Sequence, residues 1–364
     1  MALDLPQITV KGSPAQMGEA YGRACREQIK AFVADRTRAV ETYFTERGYA
    51  QTSVLFEAGA ACLERARQFD PRGHAEHLAL SEAAGIEPVR LFTAANMTDI
   101  RDIITLPGDR LVAEDEGCTA ALLPPSITEN GQCLLGLTWD LNGPDVDYII
   151  ALHRLPDDGP ETWAVTCTGC QTLMGMNEHG VSVGTTNLKT RGAKVGVPYL
   201  SVLHKALHQP TLAAASEVVE QAPVAGSHSY FVGDAEEAVE WEKTAQTARS
   251  RSTREGALAR ANHCLFDENT AKEADLSPST HQRYARMRAL LASSDRHSVE
   301  SLKTMFADRH DGRMSINRFA EDASGATTNA VVAMNPADLE FWACRGQADR
   351  GVWTRLAFER TANG

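Results

Sequence analysis

The chain has 364 residues, a formal net charge of −12, 43% hydrophobic residues and 23% charged residues. This length suits one large layered domain or two ordinary ones, and the composition is that of a globular rather than a disordered protein. The excess of acidic residues argues against nucleic acid or an anionic membrane as a partner.

No run of about 20 apolar residues predicts a membrane-spanning helix. The first ten residues lack the basic and apolar regions of a secretory leader, so we expect none. The eight cysteines do not have the spacing of a small disulfide scaffold. We therefore expect reduced thiols and a cytoplasmic location.

The first third of the chain is predicted to be mostly helical. A short strand over residues 8–10 precedes Ser13, which is expected to cap a helix with Pro14 at its first position. Apolar residues then recur every four positions from Met17 to Val33, which is typical of an amphipathic helix. Further helices are predicted over residues 52–69, 74–84 and 88–104.

After residue 117 the pattern changes to short β-type runs separated by Pro, Gly and Asn–Gly turns. Strands are predicted over residues 118–123, 133–139, 148–152, 162–168, 172–174, 181–188, 229–232, 238–241, 261–266, 328–334 and 339–343. Helices are predicted over residues 199–208, 212–221 (capped by Thr211), 279–291 and 298–306. This order favours an α+β fold of mainly antiparallel sheets between helical layers over a doubly wound parallel sheet.

The step from Gly117 to Cys118 connects an acidic, loop-like segment with the first of these strands. A thiol here could attack the Gly117 carbonyl, move the acyl group onto sulfur and let water cut the chain. Cys118 would then carry both a thiol and an α-amine, with reference pKa values of about 8.5 and roughly 7.7–8. Such a residue holds its own nucleophile and base. Considered alone, a Gly–Cys pair before a strand is also typical of a buried core thiol.

Three other polar positions suggest roles in catalysis. Asp140, at the end of a predicted strand, could orient an attacking group or cap the turn that follows. Asn262 could stabilise an oxyanion or serve as a hydrogen-bonded strand residue. Arg318 offers a cation for a substrate carboxylate or for Asp140, with Arg283 as the rival for that role.

Two further motifs are weighed and set aside. Ser182 lies in a Gly–x–Ser–x–Gly pattern, but a strand-like run follows it where a nucleophile elbow needs a helix. Cys167 and Cys170 have redox or zinc spacing without a second pair, so two core thiols beside a tight turn are expected. Because no glycine-rich phosphate loop and no metal-ligand pattern are found, we expect neither cofactor nor metal.

Taken together, the motifs resemble those of the isopenicillin-N acyltransferase-like family of N-terminal-nucleophile hydrolases. The resemblance extends over most of the chain, in matching order and spacing. Its segments are Gly12–Ser13–Pro14, Gly117–Cys118–Thr119, Trp139–Asp140, residues 176–183, residues 230–234 with Glu240, Asn262–His263, and residues 315–318.

This resemblance implies a single four-layer αββα domain over residues 1–364. The precursor would cut itself between Gly117 and Cys118, leaving a mostly helical chain of residues 1–117 bound to residues 118–364. Cys118 would be the nucleophile and its new amine the base. Asp140 would orient or charge that pair, and Asn262 would donate to the oxyanion. Contacts to substrate are expected from Thr119, Trp139, Arg283 and Arg318.

The expected reaction is hydrolysis of a small N-acylated amine or amino acid through an acyl-thioester on Cys118. Acyl transfer from an amide or acyl-CoA to an amine is the alternative, with mild support from the basic residues Lys189, Arg191 and Lys194. The expected partners are thus a small-molecule amide and the protein's own cleaved fragment. A binding protein that keeps this fold and never cuts itself remains a third hypothesis.

Overall fold

The computed structural model describes residues 3–49, 52–106, 117–274, 276–322 and 326–359. The acidic residues immediately before Gly117 lie outside this part. The helices are α1 (Pro14–Ala24), α2 (Arg26–Arg47), α3 (Ser53–Phe69), α4 (Pro71–Ala84), α5 (Pro88–Ala95), α6 (Met97–Thr105), α7 (Tyr199–Leu207), α8 (Leu212–Gln221), α9 (Asp267–Thr270), α10 (Pro278–Leu291) and α11 (Val299–Phe306). Within the described residues, no helix is both long enough and apolar enough to cross a bilayer.

The strands form two sheets. They are β1 (Gln7–Gly12), β2 (Ala120–Leu123), β3 (Leu134–Leu141), β4 (Ile149–Pro156), β5 (Thr162–Cys167), β6 (Met174–Asn177), β7 (Ser182–Leu188), β8 (Ser227–Gly233), β9 (Ala238–Lys243), β10 (Ala248–Ser252), β11 (Leu258–Arg260), β12 (Thr327–Asn335), β13 (Glu340–Arg345) and β14 (Trp353–Leu356). Sheet A has the order β1-β4-β5-β6-β7-β8-β9-β10, and sheet B has the order β11-β2-β3-β12-β13-β14. All neighbouring strands are antiparallel except β1 and β4.

The two sheets pack face to face between helical layers. Leu137 of β3 lies so close to Gly184 of β7 that a Cβ there would be 2.9 Å from the leucine Cδ2. On the other face of sheet B, α10 and α11 share a separate apolar cluster with β2, β3 and β12. Helices α1, α2, α4, α7 and α8 join the strands of sheet A in the main core. The predicted α+β sandwich with the layers αββα is therefore confirmed.

Helices with local capping signals were predicted well. Ser13 forms a capping box at α1 with Pro14 at the first position, and Thr211 caps α8. The single helix predicted over residues 88–104 is instead two helices, α5 and α6, which meet at Asn96. The amphipathic stripe that begins at Met17 is likewise divided, because α1 ends and α2 begins at Cys25.

The strand predicted over residues 261–266 is wrong. Strand β11 ends at Arg260, and the backbone N–H groups that follow are taken by side chains rather than by a neighbouring strand. Asn262 N–H donates to Thr280 Oγ1 at 2.8 Å, and Leu265 N–H donates to Glu242 Oε2 at 2.7 Å. These contacts hold a shaped loop, which carries Asn262.

Part of the helical first third packs against sheet A, while helices α2, α3, α5 and α6 also share a separate apolar cluster. The Tyr21 hydroxyl of α1 donates toward the Cys167 carbonyl at 3.3 Å and accepts from Gly169 N–H at 2.7 Å. Helix α1 also crosses α4 closely, since a Cβ at Gly18 would be 2.1 Å from the Glu76 carbonyl oxygen. This shared packing agrees with the single domain expected from the sequence, which remains a prediction.

Candidate active site

Cys118 lies just before β2, buried with 6% of its surface exposed. Its backbone N–H donates to Asn262 Oδ1 at 2.8 Å, across 144 residues of sequence. The next residue, Thr119, exchanges two hydrogen bonds with Thr138 of β3: its N–H donates to Thr138 Oγ1 at 3.0 Å, and its carbonyl accepts from Thr138 N–H at 2.9 Å. Sheet B therefore fixes the backbone on one side of Cys118, and the Asn262 loop fixes it on the other.

Arg283 of α10 contacts the same stretch of backbone through its side chain. This guanidinium is fully buried and donates to the Cys118 carbonyl oxygen, and to Thr119 Oγ1 and Asn262 Oδ1 at 3.0 Å each. A Cβ at position 117 would lie 2.1 Å from Arg283 Nη2. A larger residue at position 117 would therefore displace the Arg283 side chain.

The neighbours of Asn262 determine which way its amide points. Cys118 N–H and Arg283 can only donate, so the atom facing both must be the oxygen Oδ1. The nitrogen Nδ2 donates to the Asn187 carbonyl at 2.9 Å. In this structure the carboxamide binds the backbone nitrogen of Cys118, and its predicted role as an oxyanion donor remains a prediction.

Asp140 lies in β3 beside these groups and is 1% exposed. Burial raises the pKa of its carboxyl from 3.8 to about 6, because the charged form loses hydration. The positive charges of Arg283 and Arg318 oppose that shift without cancelling it. With a pKa of about 6, the Asp140 carboxyl is mainly ionised at neutral pH but can take up a proton slightly below it.

The positive charges of Arg283 and Arg318, the two arginines named from the sequence, both favour the ionised form of Asp140. Arg318 is fully buried, and its backbone N–H donates to Thr328 Oγ1 at 2.9 Å. The positive charge of Arg318 acts on the Asp140 carboxylate, and its expected contact with substrate remains a prediction. The charge of Arg283 also acts on Asp140, while its guanidinium donates to the Cys118 carbonyl oxygen.

A small pocket of about 30 Å³ opens beside the thiol. Four of the predicted site residues line it, namely Cys118, Trp139, Asp140 and Asn262, whereas Thr119, Arg283 and Arg318 are not among its lining residues. The pocket is also lined by polar residues that were not predicted from the sequence, including Asn187, Tyr199 and His228. Asn187 on β7 and His228 on β8 are directly opposite in register, and a polar residue in each strand was the signal available.

The two motifs set aside behave as expected. Ser182 begins β7, is fully buried, and its hydroxyl donates to the Gly180 carbonyl at 3.3 Å; a strand, not a helix, follows it. Cys167 and Cys170 flank a tight turn closed by Cys170 N–H donating to the Cys167 carbonyl at 2.9 Å. Both are free thiols, and burial raises the pKa of Cys170 to about 12. Among the described residues, no cluster of His, Cys, Asp or Glu could hold a metal ion.

The model of the acyl-coenzyme A:6-aminopenicillanic acid acyl-transferase family matches residues 127–350, which is more than half of the chain. The chain belongs to this family. The match includes Asp140, Asn262, Arg283 and Arg318 and begins after Cys118. Family membership confirms the resemblance found in the sequence and supports an enzyme that transfers acyl groups.

Solved structures of similar fold include a mutant of the conjugated bile acid hydrolase from Clostridium perfringens, with 12% identity and a TM-score of 0.42 over 67% of this chain and 97% of that chain. They also include the penicillin V acylase from Agrobacterium tumefaciens, with 13% identity and a TM-score of 0.40 over 63% of this chain and 83% of that chain. No curated protein matches the sequence.

Proposed function

We propose that this member of the acyltransferase family is a self-processing amidohydrolase whose nucleophile is Cys118. The observation that carries the proposal is the grip on the Cys118 backbone, where Asn262 accepts its N–H while Arg283 donates to its carbonyl oxygen. Every buried backbone N–H and C=O group needs a hydrogen-bond partner, but side chains rather than a neighbouring strand supply both partners at Cys118. This arrangement supports the proposal because an amide side chain already faces the nitrogen that the cut would release.

The proposed self-cleavage is an N-to-S acyl shift followed by hydrolysis of the resulting thioester. The Cys118 sulfur bonds to the Gly117 carbonyl carbon, the bond between that carbon and the Cys118 nitrogen breaks, and the nitrogen takes the thiol proton. Water then releases the Gly117 carboxylate from the thioester. Asn262 Oδ1 already accepts from this nitrogen, so it is placed to hold the new amine.

In the cut enzyme the same sulfur attacks the carbonyl of a small N-acylated amine or amino acid in the pocket. The Cys118 amine takes the thiol proton and returns it to the leaving nitrogen. Asp140, supported by Arg283 and Arg318, keeps a negative charge near the amine. The acyl-thioester is resolved by water, and no cofactor takes part in these steps.

Acyl transfer to a second amine is the other candidate outcome, and the family to which the chain belongs favours it. The two reactions share every step as far as the thioester and differ only in which nucleophile enters. Product analysis with an added amine separates them, because transfer yields a new amide in place of the free acid.

Electrophoresis of freshly purified protein tests the proposal. The native chain should yield two fragments, residues 1–117 and 118–364, and mass spectrometry should place Cys118 at the start of the second. Cys118→Ala should remain one chain and hydrolyse no amide, whereas Cys133→Ala, which removes another buried thiol, should be cut normally. An uncut native chain without amidase activity would instead support a binding protein on this fold.

A further inference from the structure

The peptide bond that precedes Asn262 is held at both of its polar ends by threonine side chains. Strand β11 ends at Arg260, before this bond. The Thr186 hydroxyl donates to the Ala261 carbonyl oxygen at 3.1 Å, and the Thr280 hydroxyl oxygen accepts Asn262 N–H at 2.8 Å. Because a peptide bond is planar and rigid, fixing both its carbonyl and its N–H fixes the direction in which the chain enters Asn262.

The two threonines come from different layers of the molecule, and both are buried. Thr186 lies on β7 of sheet A, and Thr280 lies in the first turn of α10, beside sheet B. The same two elements also contact the Asn262 side chain. The Asn187 carbonyl of β7 accepts from its Nδ2 at 2.9 Å, and Arg283 of α10 donates to its Oδ1 at 3.0 Å. Each layer therefore has one contact with the backbone at Asn262 and one with its carboxamide.

The carboxamide oriented in this way is the group that accepts Cys118 N–H at 2.8 Å. A hydrogen bond weakens steeply as its angle closes toward about 120°, so the direction of the Asn262 side chain matters as well as its distance. The side chain is short, and a rotation of the preceding peptide bond would carry Oδ1 away from the Cys118 nitrogen. The threonine contacts also satisfy buried backbone groups, which contributes to stability, so an experiment must separate the two roles.

We propose that Thr186 and Thr280 are positioning residues for self-cleavage, which act through the Ala261–Asn262 peptide by directing the Asn262 carboxamide at the Cys118 nitrogen. Neither threonine is among the described residues that line the pocket beside the thiol. This inference rests on the proposed self-cleavage and adds to it two residues whose effect reaches the scissile bond through Asn262.

The test replaces each threonine by valine, which removes the hydroxyl and keeps the branched shape. Thr186→Val and Thr280→Val should each slow self-cleavage by about 2- to 12-fold, the rate equivalent of one neutral hydrogen bond. Thr186→Ser and Thr280→Ser, which keep a hydroxyl, should be cut at close to the native rate. Thr280 Oγ1 also lies 3.0 Å from His263 Nδ1, so Thr186→Val is the more specific of the two valine variants.

Thr166→Val is the matched control. Thr166 lies in β5 of the same sheet, is buried, and its hydroxyl forms no hydrogen bond within the described residues, so its loss should leave the cleavage rate unchanged. The free energy of unfolding of each variant is measured alongside the rate of cleavage. A native cleavage rate in Thr186→Val together with a lower free energy of unfolding would overturn the proposal in favour of a structural role. Equal slowing by Thr166→Val would overturn it as well.

A second measurement requires no cleavage. In Cys118→Ala protein the backbone N–H at position 118 still has Asn262 Oδ1 as its acceptor, and its hydrogen exchange can be followed by NMR. Adding Thr186→Val should speed exchange of this one amide by about 2- to 12-fold, whereas adding Thr166→Val should not. Unchanged exchange would refute the role of the threonines, whether or not the native chain is cut. A native chain that stays uncut while exchange responds as expected would instead refute the proposed self-cleavage and support the placement of Asn262 by the threonines.

Discussion

The closest approach at the proposed cut is between the backbone at Gly117 and Arg283, and replacing this glycine by alanine tests its importance. The added Cβ would lie 2.1 Å from Arg283 Nη2, well inside contact distance, so the guanidinium must move away from Cys118 and Asn262. Hydrogen bonds from a charged donor contribute about 1.5–3 kcal/mol each. Losing one should slow self-cleavage by about 10- to 150-fold.

The assay is the rate at which uncut chain disappears after cell-free synthesis, followed on denaturing gels. Gly143→Ala is the matched control, because a Cβ there would be 3.8 Å from its nearest neighbour, Thr327 Cγ2. A thermodynamic cycle with Arg283→Ala isolates the cause. If Gly117→Ala acts by displacing Arg283, it should add little slowing in the Arg283→Ala background. An equal slowing in both backgrounds would refute the reasoning and point to the chemistry of the scissile bond itself.

Two further predictions concern stability. In Cys118→Ala protein, the raised pKa of Asp140 should stabilise the folded state at low pH. This contribution to the free energy of unfolding is fully present below pH 3.8 and is lost as the pH rises through about 6, a change of about 3 kcal/mol. Chemical denaturation from pH 3.5 to 7.5 should show this slope and Asp140→Asn should remove it, whereas identical pH profiles for the two proteins would contradict the prediction. Gly18→Ala places a Cβ 2.1 Å from the Glu76 carbonyl oxygen, so α1 and α4 must separate. We expect the free energy of unfolding, measured by urea titration, to fall by about 1–3 kcal/mol. An unchanged urea midpoint would show that the two helices can accommodate the methyl group.

The sequence predicted those parts of the fold that short-range chemistry determines. Caps at Ser13 and Thr211 use a side chain and an N–H three residues apart, and both were located correctly. The strand assigned to residues 261–266 was wrong because Thr280 and Glu242, distant in sequence, take its backbone N–H groups. Strand β10, Ala248–Ser252, was missed because it is a polar strand at the edge of sheet A.

The residues of the candidate site also fall into two groups: those with a local signal in the sequence and those positioned by contacts distant in sequence. Cys118 and Asp140 each follow or precede a turn signal in the sequence, so they could be singled out before their surroundings were known. The contact of Asn262 Oδ1 with Cys118 N–H depends on a loop 144 residues away, and no local pattern encodes which amide atom faces the cysteine. His228, another residue that lines the pocket, was missed for a related reason, since the partner of its ring is Asp99, on a helix 129 residues earlier.

If the chain is cut as proposed, the parallel pairing of β1 with β4 joins the two fragments. Residues Gln7–Gly12 align with Ala151–Pro156 along their whole length, so the outermost strand of sheet A comes from the shorter proposed fragment and its neighbour from the longer one. Taking that strand away would strip a row of main-chain hydrogen-bonding groups and uncover apolar surface beneath α1. The two products should therefore remain an obligate pair through dilution and chromatography, and should part only when the whole assembly is denatured.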